Sequence, residues 1–210
     1  MKPFYLLLAA LLAPLPFYAQ SFEGEIVYQV TFQSKLPNVS NDRLTNAMGD
    51  RSEYYVQNGN YKNVCNGTIF QWQLYRHDEN RIYNKMAKAN AVLWIDAATN
   101  QDTVYNASLV FNAATILGYS CDEVILACKS GVQRYFFSPK LGVDSRLFIR
   151  HRFGNYYAFV SKSNALPLKY VIDNDQLVME GTAVLVKPGP LDPAIFTLPP
   201  GAMLSPMPQN

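Results

Sequence analysis

The chain has 210 residues, 49% of them hydrophobic and 16% charged, which is too much to bury and too little charge for intrinsic disorder. Its 18 Lys and Arg against 16 Asp and Glu leave a formal charge of +2 with no basic run, so nothing points to nucleic acid as a partner. The length suits one domain that folds around its own core without metals.

Residues 1–20, MKPFYLLLAALLAPLPFYAQ, place Lys2 before an apolar run from Phe4 to Ala13, then Pro14, Pro16 and the small residue Ala19. This is the pattern of a signal peptide. As a helix the run rises about 15 Å, half of a hydrocarbon core of about 30 Å, which favours export over a permanent transmembrane helix. The first cysteine, Cys65, is far from the run, so a mature chain without a lipid anchor is expected near Gln20 or Ser21, periplasmic or secreted.

From Phe22 to Phe32 the even positions are Phe22, Gly24, Ile26, Tyr28, Val30 and Phe32. Period two predicts a long strand with one core face. Ser40 can cap a short helix carrying Leu44 and Met48 before Gly49. Residues 51–86 read as successive antiparallel strands, with Asn58-Gly59 and Asn66-Gly67 as hairpin turns. Within them Thr68, Phe70, Trp72 and Leu74 alternate with Ile69, Gln71, Gln73 and Tyr75. Residues 91–95 and 103–111 add two strands. After Gly118, YSCDEVILAC and VQRYFFSP form a hairpin that Pro139 ends. A short helix capped by Asp144 is expected within 141–152, then strands at 156–160, 166–172 and 176–186. The proline-rich tail should dock through Ile195, Phe196 and Leu198 and lie free beyond Gly201. The expected organisation is a signal peptide at 1–20, one β-rich domain at 21–200 and a flexible tail at 201–210.

No zinc-hydrolase HExxH, P-loop, dinucleotide fingerprint, calcium loop or GxSxG elbow occurs, so no cofactor, metal site or catalytic residue is expected. A hydrolase would have to use one of two histidines, for example His151 with Asp144 and Cys121. His77 lies in the polar turn RHDEN, where solvent exposure explains it, and His151 sits between Arg150 and Arg152, where a surface or helix-end role suffices. Asn38, Asn66 and Asn106 match the glycosylation acceptor pattern, which matters only in a eukaryotic secretory pathway. Of the 3 cysteines, Cys121 and Cys128 would stand about 23 Å apart along one strand, which favours a disulfide from Cys65 to Cys121 or Cys128. Three free thiols packed as small hydrophobes are the other outcome.

The chain carries 14 Tyr, 12 Phe and 2 Trp, many adjacent, as in Tyr54-Tyr55, Phe136-Phe137 and Tyr156-Tyr157. In a strand such pairs put one ring on each face. Strand preference alone accounts for many tyrosines. The sharper account is a curved sheet whose concave side holds an apolar molecule.

The segments FEGEIVY at 22–28, LGYSCDEVIL at 117–126, YFFSP at 135–139, ALPLKY at 165–170 and LDPAIFTLP at 191–199 together resemble uncharacterised periplasmic families of Bacteroidota. These families (DUF4412/GLPGLI-like) are similar to the LolA-like lipoprotein-carrier fold. The resemblance implies a mostly β protein, a large curved antiparallel sheet forming an incompletely closed barrel with short covering helices. Better-known relatives hold acyl chains in that concavity, although no motif here matches a lipid contact residue by residue. The expectation is a non-enzymatic exported envelope protein binding a lipid or other apolar or amphiphilic ligand. Tyr28, Val30 and Phe32 with Phe70, Trp72 and Leu74 are the candidate wall, the concave face being undecided. A protein-interaction or scaffold module with an envelope partner is the alternative, and a hydrolase a third.

Overall fold

A computed structural model describes residues 21–208 of the protein, so the signal-peptide reading lies outside the described residues. Strand β1 (Gly24–Ser34) follows the alternation, with Ile26, Tyr28, Val30 and Phe32 buried and Gln29, Thr31 and Gln33 exposed. Ser40 caps α1 (Asn41–Met48), its Oγ accepting from the Arg43 N–H at 3.2 Å. Strands β2 (Arg51–Gln57) and β3 (Asn60–Cys65) meet at Asn58-Gly59, both with positive φ. Asn66-Gly67 does not make the tight hairpin expected. The connection to β4 (Phe70–Arg76) instead docks on the end of α1, where Thr68 and Ile69 donate to the Asn46 and Ala47 carbonyls. A Cβ on Gly67 would stand 2.4 Å from the Ala47 carbonyl oxygen, so this glycine serves close approach.

Strands β5 (Arg81–Met86) and β6 (Val92–Asp96) complete the first limb, and the second begins with the meander β7 (Val104–Ile116), β8 (Tyr119–Cys128) and β9 (Gly131–Gly142). Pro139 does not end β9, although its pairing with β8 stops at Phe137. Asp144 caps a single 3-10 turn, Ser145–Phe148, where a short helix was expected. Residues 156–160, read as strand, belong to α2 (Tyr156–Ser163). The β-branched and aromatic residues suit a strand, but Phe159, Val160 and Ser163 also recur at helical spacing and are the residues α2 buries. Tertiary burial decided between the two periods.

Strands β10 (Ala165–Asn174) and β11 (Leu177–Pro188) return to β1, and β12 (Leu204–Pro206) closes the list. Among the described residues the twelve strands form one sheet in the order β12-β6-β5-β4-β3-β2-β1-β11-β10-β9-β8-β7. Each neighbouring pair is antiparallel except β12 with β6. The sheet curves without joining its two edges, β12 and β7, and short helices cover it. Contrary to the expected free tail, Leu204–Pro206 pairs with Val92–Trp94. Proline is tolerated there because β12 is an edge strand and needs no second ladder.

Strands β4 and β5 bury side chains on both faces. Tyr75 and Ile82, paired across β4 and β5, belong to the interior core with Tyr28, Phe148 and Phe159. Leu74 and Tyr83, one residue along, belong to an outer cluster closed by Phe196 and flanked by Ile195 and Leu198. The tail after β11 is therefore a strap over the convex side, which explains why those strands are apolar on both faces. Phe196 is 7% exposed, and Phe196→Ala should cost about 3 kcal/mol, measured as a lower urea midpoint. An unchanged midpoint would show that the strap adds nothing to stability.

Candidate functional site

The six candidate wall residues do not share a wall. Tyr28, Val30 and Phe32 lie in the interior core, whereas Leu74 and Trp72 lie under the strap on the outer face. Phe70 sits opposite Met86, separated from Trp72 by a register shift.

The concave interior is filled by the protein's own rings. Tyr61 stacks at 5.2 Å from Tyr54, 5.3 Å from Tyr75 and 5.5 Å from Tyr156. His151 enters this column 4.3 Å from Tyr75 and 4.5 Å from Tyr156, its Nε2 hydrogen-bonded to the Tyr61 hydroxyl at 2.9 Å. The hydroxyls of Tyr54 and Tyr156 meet at 3.1 Å, and Tyr28 donates to the Pro167 carbonyl at 2.6 Å. Tyr170 lies across β11 because Gly181 has no Cβ, which would stand 2.2 Å from its ring. Burial raises the phenol pKa values of Tyr28, Tyr54, Tyr61 and Tyr156, keeping them neutral.

His151 is a correction to the sequence reading: rather than lying at the surface, it is 1% exposed. Burial pushes its pKa down to about 3, and Nδ1 has no partner. His77 is partly buried, with Nδ1 enclosed, rather than free in solvent. The trial triad is not assembled by hydrogen bonds. The Asp144 carboxylate accepts from Arg146, Cys121 donates to the Tyr119 carbonyl, and His151 bonds Tyr61. Among the described residues no group of three His, Cys, Asp or Glu could hold a metal.

The expected Cys65–Cys121 disulfide is absent, and all three cysteines are free. Cys121 and Cys128 are buried on β8 and Cys65 is partly buried on β3, and burial holds the Cys65 thiol up at about 11. The thiols are free, Cys121 and Cys128 packing as small hydrophobes in the interior core while Cys65 lies outside it.

The open space lies at the mouth of the sheet, a cleft of about 1500 Å³. Its lining joins the β4–β5 turn, β6 and the loop after it, the β8–β9 turn, the segment from Ile149 to Gly154 without His151, Asp175 and the end of β12. Trp94, Ile95, Ile149, Phe153 and Met207 give it apolar wall, while Arg81, Lys129, Arg150 and Arg152 give it positive charge. Asp102 pins the loop after β6 to the β8–β9 turn and to the start of α2: its carboxylate accepts from Ser130 Oγ and Asn155 Nδ2, both at 2.8 Å. Burial alone would raise its pKa, but these hydrogen bonds outweigh it and hold the carboxyl below its usual value. Sequence reading missed this site because its residues come from separate turns. The RHDEN turn and the arginines flanking His151 were its visible traces, each explained locally as solvent-facing.

Two outcomes test this geometry. Unfolded chains bind a proton at histidine near pH 6.5, whereas folded His151 does so only near about 3. The unfolded state thus binds more protons between these values, so the stability contributed by neutral His151 is complete above pH 6.5. It is lost as pH falls toward 3, by up to about 1.4 kcal/mol per unit. His151→Phe should flatten that slope in urea titrations across pH, and an unchanged slope would contradict a buried neutral ring. Separately, denatured, unreduced protein should give three alkylatable thiols by intact mass, and a cross-linked peptide pair would contradict the free-thiol structure.

No family model and no curated protein matches the chain. Among solved structures it is similar to PNGF-II in its C2 crystal form, at 14% identity and TM-score 0.46, over 89% of this chain and 31% of that one. The P21 form of PNGF-II gives 16% identity and TM-score 0.44, over 89% and 32%. The chain thus spans about a third of the length of PNGF-II. LprF from Mycobacterium bovis is similar at 13% identity and TM-score 0.35, over 81% of this chain and 88% of that one. At these TM-scores the likenesses carry no functional conclusion, and the architecture rests on the strand order itself.

Proposed function

We propose that the protein is a non-enzymatic binding protein of the cell envelope that seats an amphiphilic, lipid-like ligand in the mouth of its open sheet. The observation that supports this is the contrast between a concave interior packed with tyrosines and an open cleft of about 1500 Å³ with Trp94, Ile149 and Met207 on its wall. A cleft of this size can accept an alkyl chain, and each CH₂ removed from water contributes roughly 0.8 kcal/mol. Ile149 is exposed at the rim, where an apolar ligand would cover it. This reading seats the ligand at the mouth instead of against Tyr28, Val30 and Phe32, which the interior core already packs.

A second reading, a protein-interaction module, is favoured by one strand. β7 is an edge of the sheet, and no charged residue occurs between Asp102 and Asp122. Tyr105 and Phe111 on it are 69% and 68% exposed. Such an edge is suited to strand addition by another chain.

Native mass spectrometry with lipid extraction of protein from its own host should find a bound amphiphile. Ile149→Asp should weaken rebinding of that amphiphile by about ten-fold while leaving thermal unfolding unchanged, since Ile149 is exposed. An empty cleft and no titratable amphiphile, with a partner lost on Phe111→Lys, would replace this reading with the interaction module.

A further inference from the structure

We infer that the cleft selects an anionic head group, a phosphate or carboxylate, held by Arg81, Arg150, Arg152 and Lys129. This rests on the amphiphile reading above and adds the class of ligand. Both signs of charge line the cleft in equal number, four carboxylates and four cations, so selection turns on which of them keep hydrogen-bonding atoms free for a ligand.

The carboxylates are largely engaged within the protein. Glu79 pairs with Arg76 at 2.8 Å and accepts from the Tyr83 hydroxyl. Asp96 accepts from the Ala98 N–H at 2.9 Å and from Asn80 Nδ2 at 3.4 Å. Asp102 accepts from Ser130, Asn155 and the Thr103 N–H. Asp175, in the turn between β10 and β11, is the exposed exception.

The four cations contrast with this, for none forms an ion pair with a carboxylate among the described residues. Arg81 lies 4.3 Å over the Trp94 ring and Arg152 lies 4.7 Å over the Tyr157 ring. A guanidinium held over an aromatic ring gains cation–π stabilisation and keeps N–H donors that can grip a phosphate or carboxylate; Arg81 spends one of its donors on the Tyr83 hydroxyl. Arg150 donates to the His77 carbonyl at 3.2 Å, which fixes its place and leaves its charge uncompensated. Lys129, exposed in the β8–β9 turn, adds a point charge. Trp94 joins the two halves of the site, since its ring carries Arg81 and also lines the apolar wall.

Calorimetric titration of the full protein with dodecyl phosphate, tetraethylene glycol monododecyl ether and inorganic phosphate separates the terms. Dodecyl phosphate should bind at least about ten-fold more tightly than the uncharged ether of equal chain length. That advantage should shrink as ionic strength rises and disappear in Arg81→Gln with Arg152→Gln. Lys129→Gln, a change at an exposed turn, should reduce it by a few-fold with unchanged thermal unfolding, which keeps the test valid if the double variant folds poorly. Equal binding of the two amphiphiles would overturn anion selection and leave the amphiphile reading standing. Inorganic phosphate binding as tightly as dodecyl phosphate would support anion selection and remove the alkyl chain from the reading. No binding by any of the three would overturn both.

Discussion

A curved sheet whose edges do not meet must fill its hollow with something, and here that requirement is met by the ring column around His151. The imidazole is held between Tyr75 and Tyr156 and hydrogen-bonded to Tyr61, in surroundings that keep it neutral. A buried ring that cannot easily take a charge is a fixed point for the chain on either side of it. Its neighbours Arg150 and Arg152 are exposed while His151 is buried, so the residue that plugs the interior also sets two cations at the mouth. The Arg152 and Phe153 amides donate to the Ala97 carbonyl, tying this segment to the loop after β6.

The same requirement operates on the convex side. Strands β2 to β6 carry Tyr55, Trp72, Leu74, Tyr83 and Trp94 outward, and the strap after β11 covers them through Phe196. Trp94 belongs to this cluster and also lines the cleft, so strap, β6 and cleft share one side chain. On β8 to β11 ion pairs appear instead, Glu123 with Arg134 and Lys169 with Glu180. Much of the aromatic excess is therefore structural payload on both faces of β3 to β5, and the cleft takes its character from where that packing ends.

Local chemistry was legible where the physics is local. Ser40 and Asp144 cap as their side chains predict, Asn58-Gly59 turns the chain, and β1 alternates as read. The errors arose where distant burial overrules a local signal. Residues 156–163 carry strand-like side chains and a helical period together, and only the hollow they fill selects the helix. His151 looked solvent-facing because its neighbours are arginines, yet consecutive residues can point to opposite environments. The proline-rich end looked free because proline opposes central strands, but an edge position removes that objection.

Period two and turn residues were enough to specify many strands, antiparallel order and an aromatic-rich sheet, because those depend on contacts within a few residues. They state that a strand has two different faces and say nothing of which face is concave. Trp72 and Tyr28 sit on equally regular alternations and end on opposite sides of the sheet. The cleft lies further still from the sequence, since its cations come from β5, the β8–β9 turn and the segment that leads into α2. Their juxtaposition exists only once the twelve strands have curved and left one mouth open, because charge placed by separate turns has no local pattern to betray it.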